Sequence, residues 1–558
     1  MVMGCSPETE VIPADLVISN GRIYTVDSAA PWAEAVAVRD GVYVGIGANE
    51  DMADFVGPDT ERVDLEGGFA MPGINDLHIH PLWGGVKTLY ECQFPFTAGL
   101  EDIRSALTEC VAQQPDATWI RGGQWDSSFF EHTEVASPRG FLDDISTDHA
   151  IYLADDSGHN GWVNSRALEI AGIDASTPDP EGGYILRDQL GAPNGVLLET
   201  AIRLFDAIMP EPTEEQYIAA AAESVKIAHG FGITGMKDAG AFRPAGMAYS
   251  ALDRAGRLAM HVAVCQRTTY GRREGPLDYA ALEADRDRWQ TTNVHTHFVK
   301  LFLDGVPTVA RTAAMLAPYT ADAQHGEEFD GGPMHIDQTQ LSTDLVALDA
   351  RGFTVKIHAA GDRSVRSALD AIAEARRANG DSGLRHELAH AGYVSPEDIA
   401  RFAELNAVAD FSPYLWHPSP IIRSVITAVG QLRGERYWPT RDLLDAGAQV
   451  VAGSDWPSAV PSANPWVGME ALVTRSDPSG QTEGTLWPEQ AVGVDEAIHI
   501  YTLSGARGLR LEHTTGSVAL GKSADLIVLD RNLMEIDPTG ISGTQVEQVY
   551  FRGTRVSG

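Results

Sequence analysis

Apolar and polar positions alternate with a period of two near both ends of the chain, and the pattern changes in between. The run Asp15–Thr25 reads as one strand. Ala35–Val38 and Val42–Ile46 read as two more, placed around Arg39-Asp40-Gly41, a hairpin turn signal. At the far end, Ala524–Leu529 and Val546–Arg552 repeat this texture. Two β-rich ends around a long middle predict one small β-sandwich built from residues 13–67 and 515–558.

The middle alternates strand-like and helix-like runs, the pattern of a parallel α/β fold. Eight barrel strands are predicted: Gly68–Asp76, Ile233–Ala239, Ala259–Gln266, Thr296–Asp304, Phe353–His358, Leu384–His390, Ala407–Phe411 and Gln449–Asp455. Helical runs fall at Glu214–Ala228, Leu341–Ala350, Ser364–Ala378, Pro396–Leu405 and Arg441–Ala446. Pro396-Glu397-Asp398 is a good helix start, with Ser395 as N-cap and acids in the first turn. The expected architecture is an α/β fold, a (β/α)8 barrel over residues 68–514. The gap at about residues 81–230 is too long for one crossover, so it predicts an insertion with structure of its own.

Length and charge narrow the picture. A chain of 558 residues exceeds one simple core. It contains no apolar run of about 18 residues, so no membrane span is expected. A formal charge of −37 repels nucleic acid and anionic membrane, and neither is an expected partner. The four cysteines, Cys5, Cys92, Cys110 and Cys265, are scattered with no CxxC pair. That argues against a cysteine-based zinc site, and nothing in the spacing demands a disulfide. The start of the chain ends in Gly4-Cys5-Ser6, as a bacterial lipoprotein signal would, but the charged and apolar regions that should precede it are missing. A cytoplasmic location and a periplasmic one with a lipid on Cys5 both stand.

Candidate chemistry sits at the carboxyl ends of the predicted strands, the face where (β/α)8 barrels carry their active sites. His78 and His80 close the first, and residues two apart on an extended chain point the same way. Lys300 lies inside the apolar run Phe298–Leu303, which is costly unless something compensates its charge. A snorkelling or acid-paired lysine is one account, and a lysine carboxylated by CO2 is the other. His358 and His390 end the fifth and sixth strands, and Asp455 closes the eighth. Each alone has an ordinary explanation, as a core histidine or a helix N-cap. Together they form a set of imidazoles and carboxylates suited to zinc, and also to manganese, iron or cobalt.

With these residues in place, the sequence resembles the amidohydrolase superfamily, and within it the amidohydrolase-3 group that includes the N-substituted formamide deformylases. The segments that carry the likeness are Asp15–Asp27, Met71–His80, His358–Asp362, Arg385–His390, Gly453–Pro457 and Gly516–Leu526. The insertion matches too, through His159-Asn160-Gly161-Trp162-Val163-Asn164 and Arg121-Gly122-Gly123-Gln124-Trp125. One departure is visible: the group often has a Glu just before its strand-six histidine, and here that residue is Ala389, with Glu387 two positions earlier.

The resemblance implies a metal-dependent hydrolase that cuts a C–N bond of a small molecule: an amide, N-acyl, N-formyl or cyclic amide. It implies two divalent ions, zinc foremost, one held by His78 and His80 and the other by His358 and His390, with carboxylated Lys300 as the bridge. Asp455 would touch the first metal, accept a proton from the attacking water and pass it to the leaving nitrogen. His159 would contact substrate, or merely order the insertion, and the second metal or His159 would steady the developing oxyanion. Trp125 and Trp456 would line the pocket, with core packing as the alternative for both. A homodimer is expected at the level of the group. Hydrolysis of an ester, lactone or carbamate on the same site remains an alternative, as does a non-catalytic binding relative. The histidine pattern argues against a metal-free isomerase or lyase.

Overall fold

A computed structural model describes residues 12–557, apart from 96–97, 127–128, 156–159, 181–182, 270, 274, 322–330 and 459. Cys5 and His159, to which the sequence assigns roles, lie outside the described residues. The chain divides into two compact units. One comprises residues up to His80 with Val225–Asp455 and Ser462–Gly558; the other comprises Pro81–Ser224 with Trp456–Pro461.

The larger unit holds the predicted barrel. Eight parallel strands form one sheet in chain order: β1 (Ile74–Ile79), β2 (Ile233–Ala241), β3 (His261–Arg267), β4 (Val294–Phe302), β5 (Thr354–Ala359), β6 (Glu387–His390), β7 (Val408–Phe411) and β8 (Gln449–Ala452). Helices return the chain between strands, including Gln338–Ala350, Asp362–Asn379, Pro396–Glu404 and Thr440–Asp445. Ser395 is the N-cap of Pro396–Glu404 by position, but its side chain makes no capping bond. Asp398 in that first turn is held by Arg366 and Arg401, each at 2.8 Å.

The sheet is nearly closed. Between β8 and β1 the buried Asp76 carboxylate accepts the Ser454 N–H at 3.1 Å, and the Asp455 N–H donates to the His78 carbonyl at 2.6 Å. Gly453 is required at this seam, because a Cβ there would come within 2.2 Å of the His78 nitrogen.

The composite sandwich is also present. A four-stranded sheet contains Leu16–Ser19, Ala35–Arg39, Val42–Gly47 and Glu61–Asp64. A six-stranded sheet contains Arg22–Tyr24, Trp32–Ala33, Phe69–Pro72, Leu526–Leu529, Val546–Phe551 and Thr554–Ser557. Leu526–Leu529 pairs antiparallel with Phe69–Pro72, which stitches the two ends of the chain together. Leu16, Ile18, Val36, Val38, Leu526 and Val528 share one buried core between the sheets.

Two sequence expectations need correction. Asp15–Thr25 is two strands, because Asn20 takes a left-handed conformation (φ 54°) and sends Leu16–Ser19 and Arg22–Tyr24 into different sheets. Gly68–Asp76 is likewise not one barrel strand. Phe69–Pro72 belongs to the sandwich, and the barrel strand begins at Ile74. The break falls at Gly73, where a Cβ would come within 2.1 Å of Thr234 Oγ1.

The smaller unit has its own six-stranded sheet, ordered Gly183–Arg187, Pro193–Glu199, Asn160–Val163, Ala150–Asp155, Trp119–Trp125, Cys92–Gln93. Cys92 is disulfide-bonded to Cys110 of the helix Leu100–Gln113, with Cα atoms 5.9 Å apart. A separation of 18 residues hides that pairing until the helix packs back on its strand. Among the described residues no helix is long and apolar enough to cross a membrane.

Candidate metal centre

Each barrel strand that carries a candidate ends at the same face, so residues distant in sequence converge. His78 is buried on β1, and its Nδ1 lies 2.7 Å from Asp410 Oδ2 on β7. His80, just past β1, places Nε2 3.1 Å from Asp455 Oδ1; His78 Nε2 lies 3.6 Å from the same oxygen. His390 ends β6 in a left-handed turn (φ 71°), and Asp455, just past β8, adopts another (φ 64°). Such conformations in non-glycine residues are uncommon and gather where a side chain must be aimed. The His390 ring lies 4.7 Å from that of His78 and 4.5 Å from that of His358, centre to centre.

One donor atom each from His78, His390 and Asp455 falls within 4.8 Å of the others, close enough to share one ion. His358 on β5 is oriented from outside the cluster. Its Nδ1 lies 3.0 Å from Asp304 Oδ1. That carboxylate also accepts the N–H groups of Ala314, Ala360 and Gly361 and the Ser364 hydroxyl, so its position is fixed. An imidazole held this way keeps Nε2 for a ligand.

The protonation states suit a metal. Burial pushes His78 well below the usual histidine range, helped by the positive charges of Lys300 and Lys356. Burial does the same to His390, with His358 and His78 beside it. Both rings are therefore neutral donors near pH 7, as metal ligation requires. His80 moves the other way: burial opposes its charge, but Asp238 and Asp455 outweigh burial and the net shift is upward. Lys300 is buried on β4, and burial together with the charge of Lys356 lowers its ammonium to about 8. Lys237 and Lys356 sit against acids. Among the described residues Lys300 makes no such pair, and its ammonium lies 5.4 Å from the Phe302 ring centre. The donor set of imidazoles, a carboxylate and a buried lysine outside any ion pair among the described residues fits a divalent metal centre.

The two tryptophans lie in the smaller unit. Trp125 is 1% exposed, donates its indole N–H to the Leu153 carbonyl at 3.1 Å and packs edge-on to Phe130 and Trp162. These contacts are those of core packing among the described residues. Trp456 is buried over Gly84, where a Cβ would come within 2.1 Å of its ring. Asn164, in the same motif as His159, caps the helix Ser165–Ala171 by accepting the Ala167 N–H.

The residues that the sequence reasoning passed over are Asp410, Asp304, Lys356 and Lys237. Each is a charged residue on or just after a buried barrel strand, the same signal that singled out Lys300.

A sequence profile of the amidohydrolase family matches residues 61–557. The chain belongs to the amidohydrolase family. Among curated relatives, the N-substituted formamide deformylase of Arthrobacter pascens is 28% identical over 97% of this chain and 97% of that protein. Protein LONG AFTER FAR-RED 3 of Arabidopsis thaliana is 29% identical over 93% of this chain and 88% of its own length. Among solved structures, a metal-dependent hydrolase from Pyrococcus horikoshii OT3 superposes with a TM-score of 0.74 at 22% identity, covering 94% of this chain and 99% of that one. That likeness is one of fold, and it agrees with the barrel described above.

Proposed function

We propose that the protein hydrolyses a C–N bond of a small molecule at a binuclear metal centre. The observation that carries this reading is the approach of Asp455 Oδ1 to Nε2 of both His78 and His80, with His390 beside them. His78, His80 and Asp455 would hold one ion, and His358 and His390 the other. Lys300, carboxylated by CO2, would contribute oxygen donors to both. A buried lysine that forms no ion pair among the described residues and whose ammonium burial disfavours is the residue most able to become a neutral amine and then a carbamate. When bound, the metals supply Lewis acidity that makes a water nucleophilic near neutral pH and polarises the scissile carbonyl.

The chain's own residues do the rest. Asp455 takes the proton from the attacking water and returns it to the departing nitrogen, which its approach to the two imidazoles supports. Asp304 and Asp410 hold His358 and His78 in the tautomer that leaves Nε2 free. Zinc is the proposed metal for this mixed nitrogen and oxygen set. The choice of a C–N bond is supported by family membership and by the named formamide deformylase among the relatives.

The test is metal content by plasma mass spectrometry on protein purified without chelator, followed by a panel of matched amides, formamides and esters. About two zinc-like ions per chain and turnover of an amide would support the proposal. Turnover of esters or lactones alone would move the reaction to C–O bonds. Absence of bound metal after reconstitution would overturn it.

A further inference from the structure

We propose that Asp410 is a positioning residue for the metal centre, held in place by a buried chain of alternating charges, Lys237–Glu387–Lys356–Asp410, that crosses the barrel interior and ends on His78. The inference rests on the reading of His78 as a metal ligand.

The four residues come from β2, β6, β5 and β7, and none is more than 1% exposed. Lys237 donates to Glu387 and, at 2.6 Å, to the Gly508 carbonyl, and its ammonium lies 4.1 Å from the Phe298 ring centre. The other Glu387 oxygen lies 2.9 Å from Lys356 Nζ, an ion contact without hydrogen-bond alignment. Lys356 donates to Asp410 Oδ2 and, at 3.0 Å, to the Leu77 carbonyl. The same Asp410 oxygen receives His78 at 2.7 Å, while Asp410 Oδ1 has no hydrogen-bond partner. A carboxylate can only accept, so the His78 proton sits on Nδ1 and the Nε2 lone pair is turned toward Asp455.

Stability alone is a poor reason for this arrangement. Barrel interiors are filled by layers of branched apolar side chains. Replacing buried ion pairs with apolar residues of similar volume is often neutral or stabilising. Two lysines and two acids in series cancel in charge, and the two middle members, Glu387 and Lys356, each stand between opposite charges. Among the described residues, their hydrogen bond to the candidate centre is made at the imidazole nitrogen that decides which way His78 presents its lone pair. Ala389 has no acid to offer, and the acid of β6 is Glu387, which points into the interior and holds both lysines.

The experiment titrates the metal-free full-length protein with Co(II) and records both affinity and visible spectrum. Asp410→Leu removes the acceptor from His78 yet leaves Lys356 its contact with Glu387. The expected result is a Co(II) affinity weakened about 10–100-fold, with an altered ligand-field spectrum. Asp410→Asn keeps an oxygen acceptor and is expected to recover most of the affinity, which a role limited to charge neutralisation would not produce. If Asp410→Leu is insoluble, the pair Asp410→Leu with Lys356→Met removes both charges together and carries the same comparison. Wild-type affinity and spectrum in the leucine variants would overturn the inference. His78→Ala separates this from the parent reading: if it binds Co(II) as the wild type does, His78 is no ligand and the proposed centre itself fails.

Discussion

Asp455 Oδ1 stands 3.1 Å from His80 Nε2, although one residue follows the last barrel strand and the other follows the first. Their meeting depends on barrel closure, because the Asp455 N–H bonds the His78 carbonyl across the seam between β8 and β1. Asp455 has φ 64°, a region that asparagine tolerates nearly as well as aspartate. Asp455→Asn is therefore expected to fold with a wild-type Tm, and its turnover should fall about 10²–10⁴-fold. Activity within about tenfold of wild type, with Tm unchanged, would remove Asp455 from the proton path.

Lys300 differs from the other interior lysines of the barrel in lacking an acid partner among the described residues. Protein incubated with zinc and 13C-bicarbonate is expected to show a carbamate carbon signal by NMR. Lys300→Arg should lose that signal and drop from about two bound ions to about one, because guanidinium does not form the carbamate. Two ions per chain in the wild type with no carbamate signal would assign Lys300 a purely structural place.

Gly453 occupies the seam so tightly that an added Cβ would meet the His78 nitrogen at 2.2 Å and Asp76 Oδ1 at 2.5 Å. Backbone cannot swing aside as a side chain can. Gly453→Ala is expected to lower stability by about 1–3 kcal/mol or more and to weaken metal binding, since His78 would move with its strand. Denaturant unfolding and Co(II) titration read the two effects. An alanine variant with wild-type midpoint and affinity would show that the seam is looser than described.

His295, on β4 at the end away from the candidate centre, gives a pH prediction. Burial, aided by His261 and His297, lowers it from 6.5 to about 4. A depressed histidine resists protonation in the folded state, so the unfolded chain takes up the proton first as pH falls. The stability it contributes is complete above pH 6.5 and is lost progressively between pH 6.5 and about 4. The loss amounts to at most about 3 kcal/mol. His295→Leu should flatten the fall of Tm across that window relative to wild type. Parallel Tm curves for the two proteins would show that His295 titrates alike folded and unfolded.

Much of the molecule is legible along the chain. Helices such as Asp362–Asn379 and Pro396–Glu404 follow from apolar spacing and start signals within a few residues of their observed bounds. The eight-strand order follows from the β/α alternation, and the candidate donors were found because they close those strands. The failures share a cause. Asn20 and Gly73 each break what reads as one continuous strand, and the break matters only because the two halves join different sheets. The packing of Trp125 on Phe130 and Trp162 likewise shows only once the insertion is folded. The Cys92–Cys110 bond depends on a helix folding back over a strand.

The sequence by itself determined the fold class, the family likeness and the residue types able to hold a metal. These depend on local periodicity and on which side chains end each strand. Tertiary structure decided which donor faces which. Asp410 reaches His78, and Glu387 reaches Lys237, only because strands distant in the chain are brought round one nearly closed interior, while Lys356 faces Glu387 from the paired neighbouring strand. Buried charges must find opposite charges within a few ångströms, and that pairing is set by the register and closure of the barrel, which no single strand encodes.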